Sequence, residues 1–283
     1  MNKLFNHILV PVCFNRNTYM ALEKAIAIAN EFKCDISLLY CHSSLLPVSF
    51  PLGGYMAGNI FQETGAEEKM AALLDRYKNS LSDGLTMQGE VQEGNWFDQL
   101  KQFIITRRID LIVIPKNAAG FHTLLNHKLD INTLAKQTNC PVLVVTRQFD
   151  IIHLKSIVVP VNDFLPVKKL TAATYIAGRY DAIIHLMGYK KNFHDKDPGD
   201  TKWLARAYQL LRDHTRLKIH RSSTYGHNVA YNTLSYAKLV EADLIVINTG
   251  KESVLGGWLS RVSGKYLYKE SNISVLTIAP LQQ

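Results

Sequence analysis

The sequence is poor in cysteine and has no long apolar run, and each shortage excludes a class of protein. The chain has 283 residues but only four cysteines, Cys13, Cys34, Cys41 and Cys140. They lack both the Cys-x-x-Cys spacing of a zinc site and the pattern of a disulfide framework. No apolar run approaches the roughly 18 residues that span a bilayer, and the first residues do not form a signal peptide. We therefore expect reduced thiols in a cytoplasmic protein that has no membrane partner.

The charge of the chain is basic but dispersed. Charged residues make up 20% of the sequence, and the formal net charge is +8, which suggests a polyanionic partner. The lysines and arginines, however, are scattered along the chain, and the densest clusters stop at two residues. These clusters are Arg107-Arg108, Lys168-Lys169 and Lys190-Lys191. Because this distribution is typical of a solvated surface, the sequence predicts no nucleic-acid partner.

An internal repeat organises the chain. The run Asp110-Leu111-Ile112-Val113-Ile114 returns unchanged as Asp243-Leu244-Ile245-Val246-Ile247. A short apolar run near the start, residues 7–12, also returns as residues 156–161, with proline at the fifth position each time. Self-similarity of this kind indicates two copies of one structural unit.

Each copy alternates the patterns of strands and helices. Short runs rich in Val and Ile are typical of strands buried on both faces of a parallel sheet, and apolar residues at three- and four-residue spacing predict amphipathic helices. Each copy therefore reads β-α-β-α-β-α-β-α-β, and we predict two α/β domains, residues 1–148 and 152–283. Each is expected to be doubly wound and Rossmann-like, with a five-stranded parallel sheet of order 3-2-1-4-5 and helices on both faces.

The predicted elements follow these patterns along the chain. In the first copy the strands are 7–12, 35–41, 89–93, 110–114 and 141–145, and the helices are 18–32, 66–82, 96–107 and 124–137. In the second copy the strands are 156–161, 183–187, 217–222, 243–247 and 274–278, and the later helices are 201–212 and 228–240.

One stretch of the first copy has no counterpart in the second. Residues 45–59 are apolar but contain two prolines and three glycines, so they fit neither helix nor strand. An apolar loop of this kind covers either the cleft of its own domain or the surface of a partner, for example in a homodimer. In its place the second copy has the polar stretch 189–198.

The fold class predicts where a ligand binds. Ligands of doubly wound sheets lie outside the carboxyl ends of the strands, where the strand order reverses. In the first copy this edge is predicted to hold Cys13 and Lys116. In the second copy the same edge collects amides, hydroxyls, a glycine and two cations as candidate cofactor-binding residues. They are Pro160, Asn162, Asn248, Thr249, Gly250, Lys251, Arg261 and Ser263.

The tandem resembles the universal stress protein family. The resemblance rests on the opening Ile-Leu-Val-Pro-Val, the repeated Asp-Leu-Ile-Val-Ile and the closing Cys-Pro-Val-Leu-Val-Val, and it spans essentially the whole chain. It implies flavodoxin-like, HUP-type domains and a role in the bacterial stress response. It also implies that the two copies form a pseudo-dimer within the chain by pairing their last strands, with Val142, Val144 and Val275 at the seam.

The family's ATP-binding pattern is degenerate in both copies. ATP-binding members carry an acidic residue after the first strand and Gly-x2-Gly-x9-Gly-Ser/Thr after the fourth, since glycines let the backbone approach phosphates. The acidic position is Cys13 in the first copy and Asn162 in the second, and none of the six glycine positions is glycine. The motif positions are Pro115, Ala118, Lys128 and Leu129 in the first copy, and Asn248, Lys251, Arg261 and Val262 in the second.

Two functions stay open from the sequence. The first is a binding or regulatory module of the stress response with no cofactor. The alternative is an adenine-nucleotide binder, for ATP or AMP, or a slow ATPase that acts through the second copy. There, Lys251 and Arg261 are able to hold a phosphate by side-chain charge.

No pattern indicates catalysis or a metal. The sequence has no Ser-His-Asp or paired-carboxylate arrangement at a spacing that indicates an active site. His122 and His127 are five residues apart, which places them on different faces of a helix. We therefore expect neither an enzyme nor a metal site.

Overall fold

The computed structural model describes residues 3–42, 65–116, 130–190, 199–225, 228–250, 252–253 and 266–280. Several predictions concern residues outside these ranges. They are the apolar loop 45–59, the start of the helix predicted over 124–137, His122 and His127, most of the polar stretch 189–198, and Lys251, Arg261 and Ser263.

The chain divides into two compact units: an N-terminal unit over Phe5–Val113, and a C-terminal unit that contains Ile114–Lys116 and the chain from Asp130 onward.

The N-terminal unit is built on parallel strands. Its strands are β1 (His7–Pro11), β2 (Asp35–His42), β3 (Met87–Glu93) and β4 (Leu111–Pro115), and its helices are α1 (Arg16–Phe32), α2 (Ala66–Tyr77) and α3 (Trp96–Thr106). The strands lie in the order β3-β2-β1-β4, with Ile8 opposite both Ile36 and Leu111. The end of β4 belongs to the C-terminal unit, where the Lys116 N–H donates to the Val145 carbonyl at 2.9 Å.

The C-terminal unit contains the remaining strands. They are β5 (Val142–Val145), β6 (Ser156–Val161), β7 (Ile183–Lys190), β8 (Ile219–Tyr225), β9 (Leu244–Asn248) and β10 (Ser274–Ile278). Its described helices are α4 (Ile131–Thr138), α5 (Val167–Tyr180), α6 (Gly199–His214), α7 (Val229–Leu239) and the short α8 (Tyr266–Glu270). The order is β5-β10-β9-β6-β7-β8, and the pairing is parallel except between β5 and β10.

This topology confirms the predicted fold class. The second copy of the repeat gives the order 3-2-1-4-5 as β8-β7-β6-β9-β10, and the first copy gives the same order. The boundary between 148 and 152 stays a prediction. The elements α4 and β5, which the repeat assigns to the first copy, belong to the C-terminal unit.

Several predicted elements have different bounds in the structure, and two of these differences have a visible cause. Helix α2 ends at Tyr77 instead of residue 82, because Asn30 binds the turn that follows it. Asn30 Nδ2 donates to the Ser80 carbonyl at 2.8 Å, and Asn30 Oδ1 accepts the Ser82 N–H at 2.7 Å. Strand β8 continues to Tyr225 instead of ending at residue 222, because residues through Tyr225 stay paired with β7.

The repeated aspartate has one structural role in both copies. Asp110 Oδ2 accepts the Asn6 N–H at 2.8 Å and Oδ1 accepts the His7 N–H at 3.0 Å. In the second copy, Asp243 Oδ2 accepts the N–H groups of the residues at 155 and 156, at 2.7 and 3.0 Å. Each aspartate thus joins the start of one strand to the start of the next, at the amino ends of the strands, away from the predicted ligand edge.

Replacing Asp110 with Ala should therefore destabilise the fold without touching the ligand edge. The change leaves two backbone N–H groups without their carboxylate acceptor, so we expect the free energy of unfolding to fall by about 1–2 kcal/mol. Asp243→Ala should have an effect of the same size. Denaturant unfolding measures both. Asp83→Ala, at an exposed position, serves as the control and should stay within about 0.5 kcal/mol. Equal stabilities for all three variants would contradict the assigned role.

Candidate functional site

The predicted ligand edge of the second copy lies where β6 and β9 end. These strands are adjacent, with Val158 opposite Ile245, and the strand order reverses at β6. Asn162 follows β6, and Thr249 and Gly250 follow β9. The structure therefore brings together the described part of the residue set that the sequence predicted.

Glu252 also lies at this edge, although it was not among the predicted site residues. Its Oε2 accepts the backbone N–H of Asn248 at 2.6 Å. Its Oε1 accepts from Asn162 Nδ2 at 3.3 Å. The residue is only 5% exposed, so a carboxylate stands in the interior, directly at the ends of both strands.

Lys169 of α5 pairs with this carboxylate. Its Nζ lies 2.7 Å from Glu252 Oε2 and 2.9 Å from Oε1, and it also donates to the carbonyl of Pro160. The side chain is fully buried. Burial lowers the pKa of the Lys169 ammonium, and the adjacent Glu252 carboxylate opposes that shift. An ammonium has three N–H donors, and these three oxygens engage all of them.

The ligand edge thus contains an anion that belongs to the protein itself, the Glu252 carboxylate. At the corresponding place in doubly wound domains, backbone N–H groups bind the phosphate of a ligand. Here the N–H of Asn248 donates to Glu252, and the ammonium of Lys169 has no donor left. An incoming phosphate at this point meets a carboxylate instead of open donors.

Three other polar atoms at this edge have no hydrogen-bond partner within the part of the chain that the structure describes. They are Asn162 Oδ1, Asn248 Nδ2 and Thr249 Oγ1. Asn248 and Thr249 are buried, at 5% and 9% exposure. Because buried polar atoms are nearly always hydrogen-bonded, an acceptor, a donor and a hydroxyl here suit an uncharged polar group or ordered water.

A residue of the first copy holds the loop after β9. Asn132, at the start of α4, accepts the Gly250 N–H at 3.3 Å through Oδ1 and donates to Ser253 Oγ at 2.8 Å through Nδ2. Gly250 has a φ of 102°, which only glycine adopts readily. The hydroxyl of Tyr268, whose pKa is raised by burial, also donates to Asn132 Oδ1.

Replacing Asn132 with Ala should loosen this loop. Gly250 and Ser253 lose a partner, and we expect a local destabilisation of about 1–2 kcal/mol. Hydrogen exchange at the Gly250 amide should then become about tenfold faster. Gln137→Ala, an exposed position on the same helix, is the matched control. An unchanged exchange rate in Asn132→Ala would show that the loop does not depend on this contact.

The candidates of the first copy fall in different units. Cys13 is half-buried in the N-terminal unit, and its backbone N–H donates to Thr18 Oγ1 at 3.1 Å. Lys116, in the C-terminal unit, donates to Asn272 Oδ1 at 3.1 Å. The motif positions Ala118, Lys128 and Leu129 lie outside the described residues.

The other cysteines are structural. Cys34, Cys41 and Cys140 are buried, and none of the four cysteines forms a disulfide. Burial raises the pKa of the Cys41 thiol to about 12, so this thiol is not a nucleophile at neutral pH.

Metal ligands and membrane spans were also sought in the described ranges. There, no three His, Cys, Asp or Glu side chains are arranged to hold a metal ion. None of the helices in these ranges has the length and apolar character needed to cross a membrane.

The fold and the edge define the class of protein. The chain contains doubly wound α/β domains, in which the reversal of strand order marks a ligand-binding edge. A sequence model of the universal stress protein family matches residues 4–146, half of the chain. The chain belongs to this family.

Solved structures support the fold over the whole length. The chain is similar to a universal stress protein from Archaeoglobus fulgidus DSM 4304, with a TM-score of 0.69, 12% identity and 98% of each chain covered. It is also similar to a putative universal stress protein from Pseudomonas aeruginosa UCBPP-PA14, with a TM-score of 0.63 and 17% identity over 99% of this chain and 95% of that one. A comparison with curated proteins finds no match.

Proposed function

We propose that this protein is a binding and regulatory module of the stress response that works in the cytoplasm without catalysing a reaction. The observation that carries the proposal is the buried pair of Lys169 and Glu252 at the ligand edge of the second copy. The pair supplies neither an open anion site nor a nucleophile with its base.

The pair argues against a nucleotide whose phosphates lie at this edge. Every N–H donor of Lys169 has an acceptor within the protein, and the Asn248 N–H donates to Glu252. A phosphate placed beside this carboxylate meets like-charge repulsion in a poorly solvated site. The pair thus supports the interpretation that the second copy does not hold ATP in the way its family pattern requires.

Three polar atoms that have no partner among the described residues support a ligand of another chemistry. Asn162 Oδ1, Asn248 Nδ2 and Thr249 Oγ1 offer an acceptor, a donor and a hydroxyl at the same edge. An uncharged polar molecule satisfies these groups without opposing Glu252. We therefore assign the edge to a small neutral ligand.

We also propose that the two copies of the repeat pair within the chain as a pseudo-dimer. The antiparallel ladder of β5 and β10 supports this proposal, because β5 is the last strand of the first copy and β10 that of the second. Val144 lies opposite Val275, and Val142 lies opposite Thr277. The three valines that the family resemblance placed at the seam are thus part of this ladder.

A second candidate is adenine-nucleotide binding through the second copy. It is favoured by the left-handed Gly250 directly after β9, a conformation that lets a backbone approach a phosphate. In this alternative the cations of Lys251 and Arg261 hold the phosphates.

Calorimetric titration separates the two functions. With ATP, AMP and inorganic phosphate added to the full chain, we expect no saturable heat. Lys251→Ala and Arg261→Ala serve as matched variants, and Glu252→Gln tests whether removing the carboxylate charge opens the edge to anions. Saturable binding of ATP or AMP that both alanine variants abolish would overturn the proposal in favour of the second candidate.

A further inference from the structure

A basic surface lies on α6, on β8 and on the connection between them in the C-terminal unit. Residues 202–225 contain six lysines and arginines and one acidic residue, Asp213, so this stretch carries five of the eight net positive charges of the chain. All six cations are exposed. The basic surface is formed by Lys202, Arg206, Arg212, Arg216, Lys218 and Arg221.

The fold gathers cations that are dispersed in the sequence. Helix α6 packs on β7 and β8, and Leu204 lies against Gly188 of β7. Gly188 is opposite Ser223 in the ladder, and side chains alternate along a strand. Arg221 therefore projects on the side that α6 covers. These cations are dispersed along the chain, and only the contacts of the folded chain bring them together.

Two aromatic rings lie among these cations. Lys202 and Arg206 lie 5.7 and 5.6 Å from the centre of the Trp203 ring. Arg212, on the helix, and Arg221, on the strand, lie 5.8 and 5.1 Å from the ring of Tyr208. Cations thus lie over both rings, and the ring of Tyr208 brings together one cation from the helix and one from the strand. Both rings are half-buried, which leaves part of each accessible.

We propose that the basic surface binds single-stranded nucleic acid. Four of its six cations are arginines, whose planar fork matches phosphate oxygens. Aromatic rings beside a row of cations are the groups on which bases stack in sites of this kind. The surface combines both features along one helix and an adjacent strand.

A membrane fits the surface less well. A helix that lies on a bilayer exposes an apolar face, whereas the apolar residues Leu204, Ala207 and Leu211 of α6 are buried. Among the exposed large apolar residues of the described chain, only Tyr225 lies on these two elements, at the end of β8.

Fluorescence polarisation with the full chain tests the proposal. The probes are labelled oligo-U and oligo-dT of about 12 nucleotides, titrated at about 50 and about 200 mM salt. We expect saturable binding that weakens with salt. Arg212→Ala/Arg221→Ala should bind at least about tenfold more weakly and flatten the log–log salt slope by about 1.4, since each phosphate contact on a single strand contributes about 0.7.

A matched variant separates a local site from general charge. Lys136→Ala/Lys155→Ala removes two exposed cations elsewhere in the same unit and should leave the affinity within about twofold of wild type. Thermal unfolding checks that both double variants are folded. Arg212→Lys/Arg221→Lys keeps the charge and should lose part of the affinity.

Four results would overturn the proposal. They are no binding at low salt, equal weakening in both alanine double variants, equal affinity for polyglutamate, and binding only to vesicles that contain anionic lipid. The last two would assign the surface to an acidic protein or to a membrane.

Discussion

Replacing Lys169 with Met should lower the free energy of unfolding by about 3–5 kcal/mol, because it leaves the Glu252 carboxylate buried without its cation. Glu252 is 5% exposed and Lys169 is fully buried, so water cannot replace the lost partner without opening the edge. Denaturant unfolding followed by circular dichroism measures the loss.

Two further variants make this prediction specific. Lys168→Met alters the neighbouring lysine, which donates to Asn139 at the surface, and should cost less than about 1 kcal/mol. Lys169→Met/Glu252→Gln removes both charges and should recover part of the loss, because no uncompensated charge remains. A Lys169→Met protein within about 1 kcal/mol of wild type would show that the pair is not formed or is solvated.

Replacing Val144 with Asp should also cost about 3–5 kcal/mol, because it introduces an uncompensated charge at a buried position. Val144 is 4% exposed and lies opposite Val275 in the ladder of β5 and β10. Thermal and denaturant unfolding of the full chain measure the effect.

The control for this variant uses the same substitution at the surface. Ile152 is 51% exposed, so Ile152→Asp should stay within about 0.5 kcal/mol of wild type. If the two variants were equally stable, β5 would not be part of the core of the C-terminal unit, and the proposed pairing of the copies would lose its support.

The sequence predicts the scaffold well because the scaffold is encoded locally. The apolar runs that predicted β1, β6 and β9 are buried strands in the structure, and the rules for doubly wound sheets predicted the correct strand order. Local patterns gave helix ends less reliably. The end of α2 depends on Asn30, a residue distant in the chain, and no pattern within the helix contains that information.

The sequence predicted the position of the site but not the chemical groups that are found there. The edge at Asn162 and Asn248 follows from topology alone. The pair that fills it joins Lys169 and Glu252, which are 83 positions apart, so no spacing reveals it. One signal was present: Lys169 stands four residues before Ala173 on the apolar side of α5. A lysine on the buried face of a helix requires a partner.

The basic surface illustrates the same limit. Arg212 and Arg221 are separated by the end of α6 and the start of β8, yet both lie over the ring of Tyr208. A charge count along the chain records them as dispersed, and only the packing of α6 on β8 makes them neighbours.

An internal carboxylate, Glu252, lies at the ligand edge of the second copy, and we propose that it excludes nucleotide phosphates. The most direct test is a titration of isotope-labelled protein with ATP, followed by the backbone amide resonances of Asn248, Thr249 and Gly250. We expect no saturable shift of these resonances up to about 1 mM ATP. At this concentration, binding with a free energy more favourable than about −4 kcal/mol is detected. A saturable shift of these amides, with the Asn248 N–H released from Glu252, would contradict the claim.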